Sequence, residues 1–252
     1  VASPLDIAAV RIPGHYVSTA GSDTEGDGTA ANPWRTINHA LVHGGIASGE
    51  GLIVQGGLYE ESVTNCTIER LVMRGGYTAD WTRDLRNSPS VIKPPSKTVP
   101  CLSVHSVASN RIEGFVLTGG QYGIYSYGIS AKPSNSDRRH VIHHYDKMII
   151  TNNASYGVTT GPVLVSRGCG YMITTSYIAN NGAAGVHSKF DNSAYFYAWN
   201  CTVVNNKGYG LHFDYGYGAF SVKNCIFVNP DCDYNIGFFT LGTWLTLSHV
   251  CA

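Results

Sequence analysis

The chain has 252 residues, with 17 Lys and Arg balanced by 17 Asp and Glu, and only 13% of its side chains are charged. No basic stripe or Lys/Arg block is present, which argues against nucleic acid as a partner, and no run of roughly 18 apolar residues offers a membrane-spanning helix. Residues 1–18 lack a charged segment followed by a long apolar stretch, so the chain reads as starting at a mature or trimmed N-terminus. Tyr16-Val17-Ser18 then reads as a strand. Asn32-Pro33 supply an N-cap and a first-turn Pro for a helix through Trp34, Ile37, Ala40 and Leu41, closed by Gly44-Gly45. Gly51–Gln55 reads as a second strand, ending in Gly56-Gly57-Leu58-Tyr59-Glu60. A helix placed between these strands can cover the apolar end of a stacked β-structure.

The second half repeats a phrase: a short β-rich run, an Asn-rich turn, then Gly and an apolar residue. The copies are IEGFVLTGGQYGIYS (from Ile112), DKMIITNNASYGVTT (from Asp146), TSYIANNGAAGVHS (from Thr175), NCTVVNNKGYGLHF (from Asn200) and NCIFVNPDCDYNIGFF (from Asn224). The glycines fall at 123, 157, 185, 210 and 237, so the last three steps are 28, 25 and 27 residues. A steady period in the range of about 20–50 residues marks stacked units that share one core. Residues 132–144 break the period and read as an insertion that loops out of one coil. Arg138, Arg139, His140, His143 and His144 give that loop a basic character, as a cleft lip or as a solvated loop.

Several N-terminal segments carry a resemblance. Tyr16-Val17-Ser18, Gly21-Ser22-Asp23, Gly26-Asp27-Gly28, Asn32-Pro33-Trp34-Arg35-Thr36-Ile37 and Ile53-Val54-Gln55-Gly56-Gly57-Leu58-Tyr59 are similar to the opening of secreted bacterial proteins of the pectate-lyase-like superfamily. Arg74-Gly75-Gly76-Tyr77, Trp81 and Arg83-Asp84 resemble the element that follows it there. The likeness spans most of residues 14–92, and the repeats extend it to about residue 240. It implies an all-β fold, a single-stranded right-handed parallel β-helix with an N-terminal capping helix. Residues 1–60 would be the cap and first coil. Residues 61–252 would be further coils of one continuous domain, with the inserted loop near 131–145. The resemblance speaks to fold more than activity, since one fold hosts many chemistries.

Seven cysteines (66, 101, 169, 201, 225, 232 and 251) show no CxxC and no metal-type spacing, so no metal site is indicated. Cys201 and Cys225 take one place in successive repeats, about 4.8 Å apart. That spacing allows a disulfide or two buried thiols, and the β-rich surroundings favour thiols. The Asn pairs 152/153, 180/181 and 205/206, with Asn229, share one turn position and read as an internal Asn ladder or as left-handed turn residues.

Side chains alternate inward and outward along a strand. After each repeat glycine, Val158, Val186 and Leu211 are apolar and should face inward. Thr159, His187 and His212 would then share one outer column, with Gly161, Lys189 and Asp214 in the next. His187 would stand over His212 and Lys189 over Asp214, with Asp191, Tyr215 and Tyr125 at the margin. Abstracting the proton beside a uronate carboxylate needs a cation, a base and an acid. Lys189 suits the first role, His187 or His212 the second, and a His or Tyr215 the third, with Asp214 orienting an imidazole or Lys189. Tyr125, Tyr127, Asp191, Arg138 and Arg139 are the candidate substrate contacts.

The expected function is that of a lyase or epimerase acting on an acidic polysaccharide, at a secreted or cell-surface location. The other class is a non-catalytic adhesin, glycan-binding or structural β-helix. No cofactor is expected; calcium is allowed but not indicated, because only Asp191, Asp214, Asp231 and Asp233 lie near the site. The expected partner is polysaccharide, with no nucleic acid and no membrane, and with the C-terminal coil free to support an oligomer.

Overall fold

The computed structural model describes residues 14–65, 68–106, 108–128, 141–160, 169–188, 194–214, 218–232, 234–238 and 244–251. Short runs of Val, Ile, Leu and aromatic residues, cut by Gly and Asn, favour brief strands joined by tight bends. These strands stack into three parallel ladders. The first runs Gly14–Val17, Gly51–Gln55, Val72–Tyr77, Arg111–Glu113, Val141–Asp146, Cys169–Thr174, Ala194–Trp199, Gly218–Val228 and Trp244–Cys251. The second runs Gly57–Tyr59, Ser90–Ile92, Phe115–Thr118, Ile149–Thr151, Tyr177–Ala179 and Thr202–Val204, and joins the end of Gly218–Val228. The third runs Val63–Asn65, Leu102–Ser106, Ile124–Gly128, Val158–Thr160, Val186–Ser188, Leu211–Phe213 and Ile236–Phe238. Parallel strands returning to the same sheet take right-handed connections. The chain is a right-handed parallel β-helix.

The core consists of residues in register. Leu52, Met73, Ile112, Tyr145, Ile173, Ala198 and Val222 form one inward column, each buried. Val63, Leu102, Ile124, Val158, Val186 and Leu211 form another, so the predicted alternation holds on the third ladder.

Helix Ile37–His43 starts later than its sequence signals imply. Its N-cap is Thr36, whose hydroxyl accepts the His39 N–H, and Gly44 is the C-cap. Asn32 is instead in a turn that accepts the Asp27 and Gly28 N–H groups, and Trp34 forms an extended bridge with Val17. The Asp23 carboxylate takes the Arg35 and Thr36 N–H groups, leaving Thr36 to begin the helix. Ile37, Ala40 and Leu41 join the core.

Two further expectations change. Residues 141–146 are a strand rather than part of a loop, so His143 faces the core at 2% exposure and His144 sits half-buried; neither belongs to a basic lip. Arg138, Arg139 and His140 lie outside the described residues. In the last coil Leu211 pairs with Ile236 and His212 with Gly237, so Asn235, not Gly237, takes the place of Gly210. The final step is therefore 25 residues, from Leu211 to Ile236.

Both expected roles of the Asn pairs occur together. Asn152, Asn180 and Asn205 adopt left-handed φ values of 57°, 56° and 56°. Their neighbours Asn153, Asn181 and Asn206 are buried and form a ladder with Asn229. Asn153 Nδ2 donates to Asn181 Oδ1 at 3.0 Å, Asn181 Nδ2 to Asn206 Oδ1 at 2.9 Å, and Asn206 Nδ2 to Asn229 Oδ1 at 3.0 Å. Asn229 Nδ2 then donates to Asn235 Oδ1 at 3.0 Å, so Asn235 ends the column.

Cys201 and Cys225 are free and buried, stacked below Ser176, with the Cys201 N–H donating to Cys225 Sγ at 3.4 Å. The hydrogen bond with Cys225, added to burial, raises the Cys201 thiol well above its ordinary value. Cys101 and Cys251 are also free.

Candidate active site on the outer face of the third ladder

Register carries His187 and His212 to the same surface. Thr159 pairs with His187 and His187 with His212, so three outward side chains occupy successive rungs. Asp214 follows the strand Leu211–Phe213, and its N–H donates to the Ser188 carbonyl at 3.0 Å, which fixes the residue beside both histidines. One Asp214 oxygen, Oδ2, lies 2.9 Å from His187 Nε2, and the other, Oδ1, lies 3.4 Å from His212 Nε2. The three side chains are 13%, 19% and 32% exposed for His187, His212 and Asp214. The side chains are partly sheltered, and the His212 Nε2 atom is itself buried.

The rings are held from the side. Tyr156 stacks on His187 with centroids 4.4 Å apart, and Tyr209 stacks on His212 at 4.5 Å. Tyr122 stacks on both Tyr156 and Tyr125. Tyr125 in turn meets His105. The result is an aromatic row along the solenoid axis ending at the histidine pair. Such rows combine apolar faces with polar edges.

Burial lowers the His212 imidazole, a shift opposed by Asp214 and reinforced by His187. Burial likewise raises the Tyr156 phenol, assisted by the charge of Asp214 and by Tyr122. Asp214 lies between two imidazoles and is hydrogen-bonded to His187, the geometry of an oriented proton acceptor.

Of the residues expected at the site, His187, His212 and Asp214 come together, and Tyr125 lies along the same face. Tyr127 is on the strand Ile124–Gly128, paired in register with His105. Lys189, Asp191, Tyr215, Arg138 and Arg139 lie outside the described residues. Tyr156, Tyr209 and Thr159 complete the site but were not singled out as site residues. Two of them carry a legible signal, since Tyr156 and Tyr209, like Tyr122, immediately precede a repeat glycine. Thr159 Oγ1 stands 3.2 Å from His187 Nδ1.

No protein-family model matches the chain, and no curated protein matches it in sequence. Among solved structures it is similar to the pectin methylesterase PemA from Erwinia chrysanthemi, with 12% identity and a TM-score of 0.51. That likeness covers 86% of this chain, which spans 66% of the length of the pectin methylesterase. A GH136 lacto-N-biosidase from Eubacterium ramulus matches more loosely, with 10% identity and a TM-score of 0.35 over 93% of this chain and 68% of that one. The first likeness shows the fold, a parallel β-helix.

Proposed function

We propose that this protein is a carbohydrate-active β-helix, a lyase or epimerase acting on an acidic, uronate-containing polysaccharide. The observation that carries this proposal is Asp214 lying between the Nε2 atoms of His187 and His212, 2.9 and 3.4 Å away, on the outer face of the third ladder. The aromatic row from Tyr125 to Tyr209 supports it by offering a surface that can seat sugar rings. The fold is shared with a protein named for its action on pectin, a polysaccharide.

In the proposed reaction an imidazole nitrogen not engaged by Asp214 takes the proton from the carbon beside the uronate carboxylate. Lys189, expected one rung from Asp214, neutralises that carboxylate and stabilises the electron pair left behind. In a lyase the pair forms a carbon–carbon double bond as the glycosidic carbon–oxygen bond breaks, and Tyr215 or the second imidazole protonates the departing oxygen. In an epimerase the same pair is reprotonated from the opposite face. Asp214 orients the imidazole that acts as base. Because such a substrate lies outside the cell, we extend the proposal to a secreted or cell-surface location.

The aromatic row also favours a second reading, glycan binding without turnover. Ultraviolet absorbance of the unsaturated uronate product, together with deuterium uptake from D2O into the sugar, separates the cases on alginate, pectate and glycosaminoglycans. Turnover that is lost in His187→Ala or His212→Ala supports the proposal. Binding without turnover supports the second reading. No turnover on any acidic glycan, with glycan binding unchanged in both variants, overturns both uses of the site.

A further inference from the structure

We propose that His187, His212 and Asp214 form a binding site for a divalent transition-metal ion of the zinc type. Their ligating atoms, two imidazole nitrogens and a carboxylate oxygen, all lie within 4.8 Å of one another. With zinc–ligand bonds of about 2.0–2.1 Å, tetrahedral neighbours sit roughly 3.3 Å apart. The carboxylate-to-imidazole separations of 2.9 and 3.4 Å already bracket that spacing. Side-chain rotation would draw the ligating atoms, now within 4.8 Å of one another, to that spacing. Three protein ligands on an outer face leave a fourth position for water or substrate, the pattern of an open zinc site.

The surroundings select this kind of ion. Two imidazoles and one carboxylate suit zinc, nickel or copper, whereas calcium requires six or more oxygens. The second sphere also points inward. Thr159 Oγ1 lies 3.4 Å from the Thr160 carbonyl and 3.2 Å from His187 Nδ1. A hydroxyl has one proton, and when the carbonyl takes it, Oγ1 accepts the Nδ1–H of His187. His187 Nε2 then turns its lone pair on Asp214 Oδ2 across 2.9 Å. Two acceptors at that distance need a proton or a cation between them. Orientation of a ligating imidazole through its other nitrogen is the usual support for such a site. Tyr156 and Tyr209, stacked on the two rings, restrict their rotation further.

Sequence spacing hides the site because two of its ligands, His187 and His212, meet only through the coil. A bound ion takes both imidazole lone pairs. Metal therefore regulates the site by closing the imidazole route to proton abstraction; this consequence rests on the proposed function, whereas ion binding does not.

The test is a calorimetric titration of metal-stripped protein with ZnCl2 in the absence of any glycan. One ion per chain is expected, with affinity at least roughly tenfold weaker in His187→Ala and in His212→Ala, and about tenfold weaker in the positioning variant Thr159→Val. His43→Ala serves as the control, since His39 and His43 meet at a tilt on the helix Ile37–His43, away from the site, and it should leave the affinity unchanged. Circular dichroism checks each fold, and Asp214→Asn, with a similar loss of affinity expected, replaces any alanine variant that unfolds. Loss of saturable binding in His43→Ala but not in the site variants, or no saturable binding to the unmodified chain, overturns the proposal. Because no substrate is present, the titration stands whether or not glycan turnover is found.

Discussion

Gly185 leaves its side-chain space to Asn206: a Cβ on Gly185 would stand 3.0 Å from Asn206 Nδ2 and 2.5 Å from Val203 Cγ1. Gly157 stands in the same relation to Asn181, and Gly210 to Asn229. The recurring glycine and the recurring asparagine are therefore one device, in which each glycine makes room for the amide of the following rung. Gly185→Ala should destabilise the protein by about 1–3 kcal/mol through overpacking. Asn206→Ala should cost about 2–4 kcal/mol by stranding the amides of its neighbours. Urea denaturation measures both, and an unchanged midpoint in either variant contradicts the shared device.

Thr175 offers a stabilising change. This β-branched residue sits at φ 51°, in a turn where Asn200 and Asn224 adopt φ 56° and 52°. Left-handed backbone is unfavourable for a β-branched side chain and tolerable for Asn. Thr175→Asn should therefore raise stability by about 0.5–1 kcal/mol, read as a higher urea midpoint.

Glu113 should resist removal. It is 3% exposed and receives Arg83 at 2.6 Å, Arg74 at 2.9 Å and Arg111 at 3.0 Å. Burial pushes its carboxyl up, but Arg83, Arg111 and Arg74 outweigh this and hold it below the ordinary carboxylate range. Glu113→Ala leaves three partly solvated guanidinium groups, 24–52% exposed, without their counter-charge and should cost about 1–3 kcal/mol in a thermal or urea melt.

His143 predicts an acid-sensitive fold. Burial, assisted by His144, lowers its imidazole from 6.5 to about 4. The unfolded chain takes up a proton below pH 6.5 that the folded chain refuses until about pH 4. Stability should therefore be full above pH 6.5 and fall as pH drops toward 4, by an amount on the order of 3 kcal/mol. Burial lowers His105, His144 and His212 as well, which adds to the same slope. In His143→Phe, which continues the column of Tyr171, Phe196 and Phe220, urea melts between pH 7 and 4 should show a shallower dependence.

The fold was legible because its main signals are local. Alternation after each glycine placed Val158, Val186 and Leu211 inside and His187 and His212 outside, as the register shows. The last coil misled because Gly237 invites alignment with Gly210, whereas the apolar residues Ile236 and Phe238 hold the register against Leu211 and Phe213. The insertion is shorter than the sequence suggests, because His143 and His144 look like surface residues, yet parallel pairing with Tyr171 and Met172 makes them strand. At the site, the histidines and Asp214 could be placed by counting along strands. Tyr156 and Tyr209 could not, since their rings reach sideways over residues that follow them in the chain. The reason for the glycines was also hidden, because the amide each one accommodates lies one coil further on.

The amide ladder has a further property, its direction. Asn153, Asn181, Asn206 and Asn229 each donate toward the higher-numbered neighbour. Aligned amides polarise one another, so the column behaves as a single dipole rather than a set of separate bonds. One reversed amide would set NH2 against NH2, and every rung must therefore keep the same sense. At the low-numbered end Asn153 Oδ1 receives the Gly120 N–H, and at the other end Asn235 Oδ1 receives both the N–H and the Nδ2 of Asn229. Coils can be duplicated or deleted between these ends without disturbing the column, but none can be inverted. The stack is polar along its axis, and its two ends are chemically distinct.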